Sequence, residues 1–191
     1  VFICCAFSVS AQNIESEEYC GTMEVLEYEK KLDPTLESRM QALEASTQQW
    51  IKNNPDEIEK NSRGVITIPL VVHVVHCTSK PAQNVPDNLI QEQITVLNRD
   101  YAGLNPHSMG AFPASMKANT EIQFCLAKRD PKGKATTGIE RRAITDVTVV
   151  FGKDNQMKHY STRGLDQWDS KKYMNIWICD LVTGLMGYAG L

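Results

Sequence analysis

The sequence predicts an α/β fold: a twisted mixed sheet backed by a helix and preceded by a leader that is mostly helical or irregular. Three stretches carry that expectation. "VITIPLVVHVVH" (65–76) is β-branched and apolar on both faces, as a central, largely parallel strand is. "PDNLIQEQITVLNRDYA" places Ile90, Ile94, Leu97 and Tyr101 on one helical stripe. "MNIWIC" sends Met174, Ile176 and Ile178 one way and Asn175, Trp177 and Cys179 the other, which is the alternation of a strand.

Taken in order, residues 1–11 come first. Residues 1–7 are apolar, Ser8 to Ala11 are small, and Val9 and Ala11 stand where a signal peptidase reads. This stretch reads as the tail of a secretory signal, too short to span a bilayer, so the protein is expected to be secreted, with no membrane span. Residues 12–62 form the leader. Within it Asp33-Pro34 opens the clearest helix, with Leu36, Met40, Leu43, Thr47 and Trp50 recurring at helical steps until Asn53-Asn54-Pro55 stops it. The polar joint "EKNSRG" leads into the sheet region, 63–191.

In that region the first strand is followed by the helix, a Pro- and Gly-containing loop (103–119), a strand in "TEIQFCLA", a turn at "DPKGK", a long loop (about 144–172), and the "NIW" strand. A second short apolar run, Leu185 to Leu191, follows the turn at Thr183-Gly184. Cys125 and Cys179 fall on core strands and read as buried thiols first. Four cysteines after the signal permit disulfides in an oxidising compartment without fixing any pairing.

Charge bounds the partners. The net charge of −3 argues against nucleic acid. Residues 13–63 carry 12 acidic and 6 basic side chains, whereas residues 64–191 carry 11 and 14, so leader and sheet region are expected to attract.

Catalytic patterns are absent: there is no HExxH, GxSxG, P-loop or dinucleotide fingerprint. His73 and His76 are three apart on a strand and face opposite sides, so they share no metal. His107 and His159 lie in loops. One small motif stands apart, Cys20-Gly21-Thr22 in "EEYCGTME": a thiolate is a strong zinc ligand, and glycine beside it lets backbone approach closely.

The blocks "ITIPLVVHVVH" (66–76), "IQEQITVLNRDYAGLN" (90–105), "IQFCLAKRDPKGKATTGIER" (122–141), and "WDSKKYMNIWICDL" with "GLMGYA" (168–189) resemble the N-terminal half of a zinc endopeptidase. The family is the pappalysins (cytophagalysins and ulilysin-like enzymes) of the metzincin group. The resemblance implies a metzincin-like sheet, a zinc cofactor with calcium as a further candidate ion, peptide or protein substrates, and a pro-segment partner supplied by the chain itself. It implies that the chain stops before the HExxHxxGxxH helix and is inactive alone. Cys20 would then be the latent-form zinc ligand. Leu185, Met186, Gly187, Tyr188 and Ala189 would form the edge that binds substrate by antiparallel strand addition. Cleavage between Ser62 and Arg63 would release the leader. Two alternatives stand beside this: an exported adhesin- or inhibitor-like domain that retains the half-fold without catalysis, and a small-ligand-binding α/β domain.

Overall fold

A computed structural model describes residues 18–55, 64–106 and 116–190. The signal stretch, the Ser62–Arg63 bond and His107 lie outside them. In chain order the elements are β1 (Tyr19–Cys20), α1 (Thr22–Leu32), α2 (Leu36–Asn53), β2 (Ile66–Cys77), α3 (Asp87–Tyr101), β3 (Ile122–Leu126), β4 (Ile139–Ile144), β5 (Met174–Ile178) and β6 (Leu185–Gly187).

β2 organises the molecule. It pairs in parallel with β3 over Ile66–Leu70, with β4 over Val72–Cys77, and with β5 over Leu70–Val74. A strand has only two edges, and the hydrogen-bond parity assigns them. Ile66 N bonds Glu121 O, Leu70 O accepts from Ala127 N, Val72 N bonds Gly138 O and Thr78 N bonds Ile144 O. All four β2-side residues are even-numbered, and in a parallel ladder one residue's N–H and C=O serve the same edge. β3 and β4 therefore follow one another along one edge, and β5 takes the other. The chain leaves the sheet between β3 and β4 through the Asp130 turn, whose carboxylate accepts from Lys132 and Lys134 N–H, as "DPKGK" suggests. It re-enters at Gly138, with φ +76, where a Cβ would lie 2.7 Å from Ala127 N. Only glycine accepts both constraints.

The two faces of β2 bury different things. Val72 and Val74 pack against Ile90 of α3, with Ile94, Ile139, Ile176 and Ile178 around them. This is the backing helix the stripe predicts. Asn98 pins α3 to the outer edge of β3, donating to Phe124 O (2.9 Å) and accepting from Phe124 N (2.7 Å), so that edge offers no free ladder there. On the opposite face Val75 packs with Phe151 and Met157 from the long loop, and Val71 with Ala127 and Trp168. Arg142 of β4 straps this loop down, donating to Tyr160 O and Gly164 O (both 2.6 Å) with its guanidinium 3.8 Å from the Tyr160 ring centroid.

Two sequence expectations need correction, and three elements were not foreseen. β4 was hidden, because Ile139–Ile144 reads "IERRAI", too charged to look like a strand until β2 is there to pair with it. Helix α1 and strand β1 also lacked a periodic signal. Cys125 is exposed rather than buried: Phe124 beside it takes the inward position, and alternation turns Cys125 outward. Finally, the α2 stripe forms a helix but buries nothing. The helix begins at Leu36, one turn past Asp33, whose carboxylate accepts from Thr35 N (2.9 Å) in the bend between α1 and α2. The four described cysteines are free thiols, with no disulfide among them. Among the described residues no helix is long and apolar enough to cross a membrane.

Candidate functional site: a groove beside the leader seam

The leader returns to the sheet region at one place. β1 pairs in parallel with β6, with Tyr19 N donating to Gly184 O and Gly21 N to Gly187 O (both 2.9 Å). Ala189 N donates to the Thr22 hydroxyl (3.0 Å), which continues the seam by one residue. The Cys20-Gly21-Thr22 motif thus lies on the stretch 185–189. Gly21 is there for closeness: a Cβ on it would come within 2.7 Å of Leu185 Cδ1.

The five residues expected at a substrate edge divide. Met186, Gly187, Tyr188 and Ala189 line an open groove of about 900 Å³ that also runs along β5 and past Met157 and Lys158. Leu185 does not line it; its side chain is buried under the leader at 5% exposure. Gly187 faces open space, since a Cβ there would meet nothing within 4 Å. The Tyr188 hydroxyl donates to Asn155 Oδ1 (3.3 Å) and lies 2.8 Å from Met157 Sδ. Burial, with the Cys179 sulfur nearby, pushes that phenol up to about 12, so it remains a neutral donor.

Cys20 is exposed, and its Sγ lies 3.2 Å from Thr22 Oγ1. The Thr22 hydroxyl and backbone N–H hold the thiol below its ordinary value, which favours the thiolate that binds metal. Cys179 is the opposite case: burial drives it up to about 12. As to an implied zinc or calcium ion, among the described residues no group of three or more His, Cys, Asp or Glu side chains is placed to hold a metal. Cys20 can give one thiolate of the four donors a zinc site needs, so these residues do not make a zinc site by themselves.

Sequence reasoning missed a polar cluster on the loop-side face of β2. His73 is fully buried, stacked on Trp177 (centroids 4.8 Å apart) and edge-on to Trp168. Asn175 donates through Nδ2 to Trp168 O and Tyr173 O, which leaves its Oδ1 to accept from Trp168 N and from His73 Nε2 (3.0 Å). His73 Nδ1 faces Glu140 Oε2 at 2.9 Å. Register sets His73 beside Glu140 on β4 and Trp177 on β5. The signal available beforehand was a histidine inside an otherwise apolar strand, which needs partners. Naming those partners required β4. His76 is half-buried and takes no part, consistent with the two histidines facing opposite ways.

The comparisons bear on this geometry. No protein-family model matches the chain, and no curated protein matches it at a significant level. Solved structures do. Mirolysin in complex with a compound superposes with a TM-score of 0.58 at 39% identity over 67% of this chain and 47% of that one. Mature mirolysin of Tannerella forsythia with a cleaved peptide gives 0.52 at 37% identity over 60% and 42%. These solved neighbours belong to the pappalysin-family metzincins, so the chain is similar in sequence and fold to part of such an enzyme. The zymogen, Tannerella forsythia promirolysin with an E225A mutation, matches with a TM-score of 0.57 at 34% identity, and it covers 81% of this chain and 51% of its own. The zymogen thus covers more of this chain than either structure of mirolysin itself does. The chain spans about half the length of the metzincins it matches.

Proposed function

We propose that the chain belongs to a secreted, latent zinc endopeptidase and holds its pro-segment together with the front of its catalytic domain. The observation that carries this is the β1–β6 seam, in which the leader occupies the groove-side strand that a peptide substrate would pair with. A substrate added antiparallel presents its backbone in the productive direction. The leader lies parallel, so it fills the same backbone positions with its peptide bonds reversed. Cys20, exposed and with its thiol favoured toward thiolate, is the residue of this segment suited to take a zinc coordination position in place of water. Zinc, when bound in the complete protein, supplies the activated water. The wider coverage by promirolysin supports the reading of residues 12–62 as pro-segment, and the peptide named with mature mirolysin supports peptide substrates.

Maturation is proposed at the Ser62–Arg63 bond, in the polar joint between α2 and β2. The test uses the complete polypeptide. Cys20→Ala should yield a zymogen that matures early or degrades itself, read by gel and by N-terminal sequencing, which should give Arg63 first. Unchanged latency and maturation rate would remove the switch role from Cys20. A mature N-terminus at Gly64 would assign the cut to a trypsin-like host enzyme instead.

A further inference from the structure

The groove holds a cation that, among the described residues, has aromatic rings beside it but no anion in ion-pair range. Lys158 lines it and is half-buried, and its ammonium lies 5.9 Å from the Trp177 ring centroid and 5.8 Å from that of Tyr188. Among the described residues no acceptor stands within hydrogen-bond distance of it and no carboxylate within ion-pair distance. Partly desolvating an ammonium without an anion is unfavourable, and burial indeed holds this group below the ordinary lysine value. Lys171 and Lys172 extend the same sign along the groove.

Among the described residues the carboxylate that acts on this lysine belongs to the leader. Val25, on the first turn of α1, is fully buried, and the helix it anchors carries Glu29 to the groove's end. There Glu29 Oε1 accepts from Asn155 Nδ2 (3.1 Å), the same Asn155 that receives the Tyr188 hydroxyl. Glu29 and Lys158 face each other across Gly190: a Cβ there would lie 2.6 Å from Lys158 Nζ and 3.2 Å from Glu29 Oε1. The leader's carboxylate acts on the lysine through space while bonding to the asparagine beside it.

We propose that Lys158 is a specificity-determining residue: in the mature protein it receives an acidic side chain of a peptide lying in the groove, and in the latent form Glu29, held by Asn155, supplies negative charge beside that position. This rests on the reading of the groove as a peptide-binding cleft. Charge complementarity names the occupant. An aliphatic side chain would leave the ammonium unpaired, a basic one would repel it, and a carboxylate pairs with it where aromatic walls thin out the water. A side-chain carboxylate is favoured over a chain terminus, because the leader presents one there from within a continuous helix.

A double-mutant cycle tests this without depending on catalysis. An acetylated, amidated peptide of residues 18–35 is titrated by calorimetry against the mature form of the complete polypeptide, with peptide integrity checked by mass spectrometry. Glu29→Gln in the peptide should weaken binding about five- to tenfold. Against Lys158→Met, which keeps the apolar stem, the native and Glu29→Gln peptides should bind within about twofold of each other. The same loss on Glu29→Gln against both proteins would overturn the proposal. If Lys158→Met does not fold, the wild-type protein alone decides: a Glu29→Lys peptide should bind more weakly again than Glu29→Gln, and equal binding overturns it. Paired substrates differing by Glu or Gln near the cut provide the catalytic arm, with the Glu preference lost in Lys158→Met. A mature protein that cleaves no peptide would sink the peptidase reading yet leave the cycle readable. An uncoupled cycle in a protein that does cleave peptides would sink this inference alone.

Discussion

β2 and α2 are both long and both rich in apolar residues, yet they hold their shapes for different reasons. β2 has twelve residues, and Leu70, Val71, His73 and Val74 among them have no exposed surface. α2 has eighteen, and none is buried; Leu43 is 69% exposed. The strand exists because partners on both edges and both faces demand it. The helix is carried by local terms: backbone bonds and pairs such as Gln41 to Glu37 and Gln48 to Glu44, besides the Lys30–Glu37 contact with α1. Among the described residues the leader meets the sheet region at the β1 seam, at Tyr19 beside Lys153 and at Glu29 beside Asn155, and no leader residue joins the sheet's hydrophobic clusters. This arrangement is compatible with the proposed release of the leader.

Cysteine chemistry should show the largest contrast between the two regions. The Thr22 hydroxyl and backbone N–H hold Cys20 below the ordinary thiol value, whereas burial pushes Cys179 up to about 12. At pH 8 Cys20 therefore carries much the larger thiolate fraction. Iodoacetamide should label Cys20 first, at a rate that levels off as pH passes its pKa, while Cys179 labelling is still rising at the highest usable pH. Comparable rates, measured by peptide mapping, would remove the distinction.

Next in size is the core strand. Leu70→Ala removes a fully buried side chain between two ladders and should cost about 3 kcal/mol in a denaturant melt of the complete protein followed by tryptophan fluorescence. A loss under about 1 kcal/mol would mean that β2 is not the centre of the cooperative unit. Val25→Ala should act on the leader alone, loosening α1 by about 1–2 kcal/mol. Amide exchange should quicken in residues 19–32 while the sheet keeps its protection; equal quickening in both would show that the leader and sheet unfold as one. The smallest effect belongs to α2, where Leu43→Ala should stay within about 0.5 kcal/mol. A larger loss would reveal a partner covering that helix face.

Residues whose roles are periodic were readable in advance. Alternation placed Ile176 and Ile178 on one face and Trp177 on the other, and the Ile90–Ile94 stripe marked the helix that packs there. Gly21 was legible as a site of close approach because its lack of a side chain is a local property. Pairing-dependent features were not legible. "IERRAI" becomes a strand only when β2 offers Val72 to Cys77 as its template, and only then does Glu140 arrive beside His73. Cys20 carried a chemical suggestion in its triplet, but nothing local said that the triplet would lie along Leu185–Gly187.

Sequence by itself determined the class of the fold, the central strand, its helix and the family resemblance, because apolar periodicity and side-chain chemistry are written residue by residue. Tertiary structure decided which edge each strand takes, which histidine is buried, and that the leader pairs with β6 beside a groove lined by Lys158. Those are contacts between residues as far as 167 positions apart, as Thr22 and Ala189 are. Their free energy arises only when both partners are in place, so no local pattern records them.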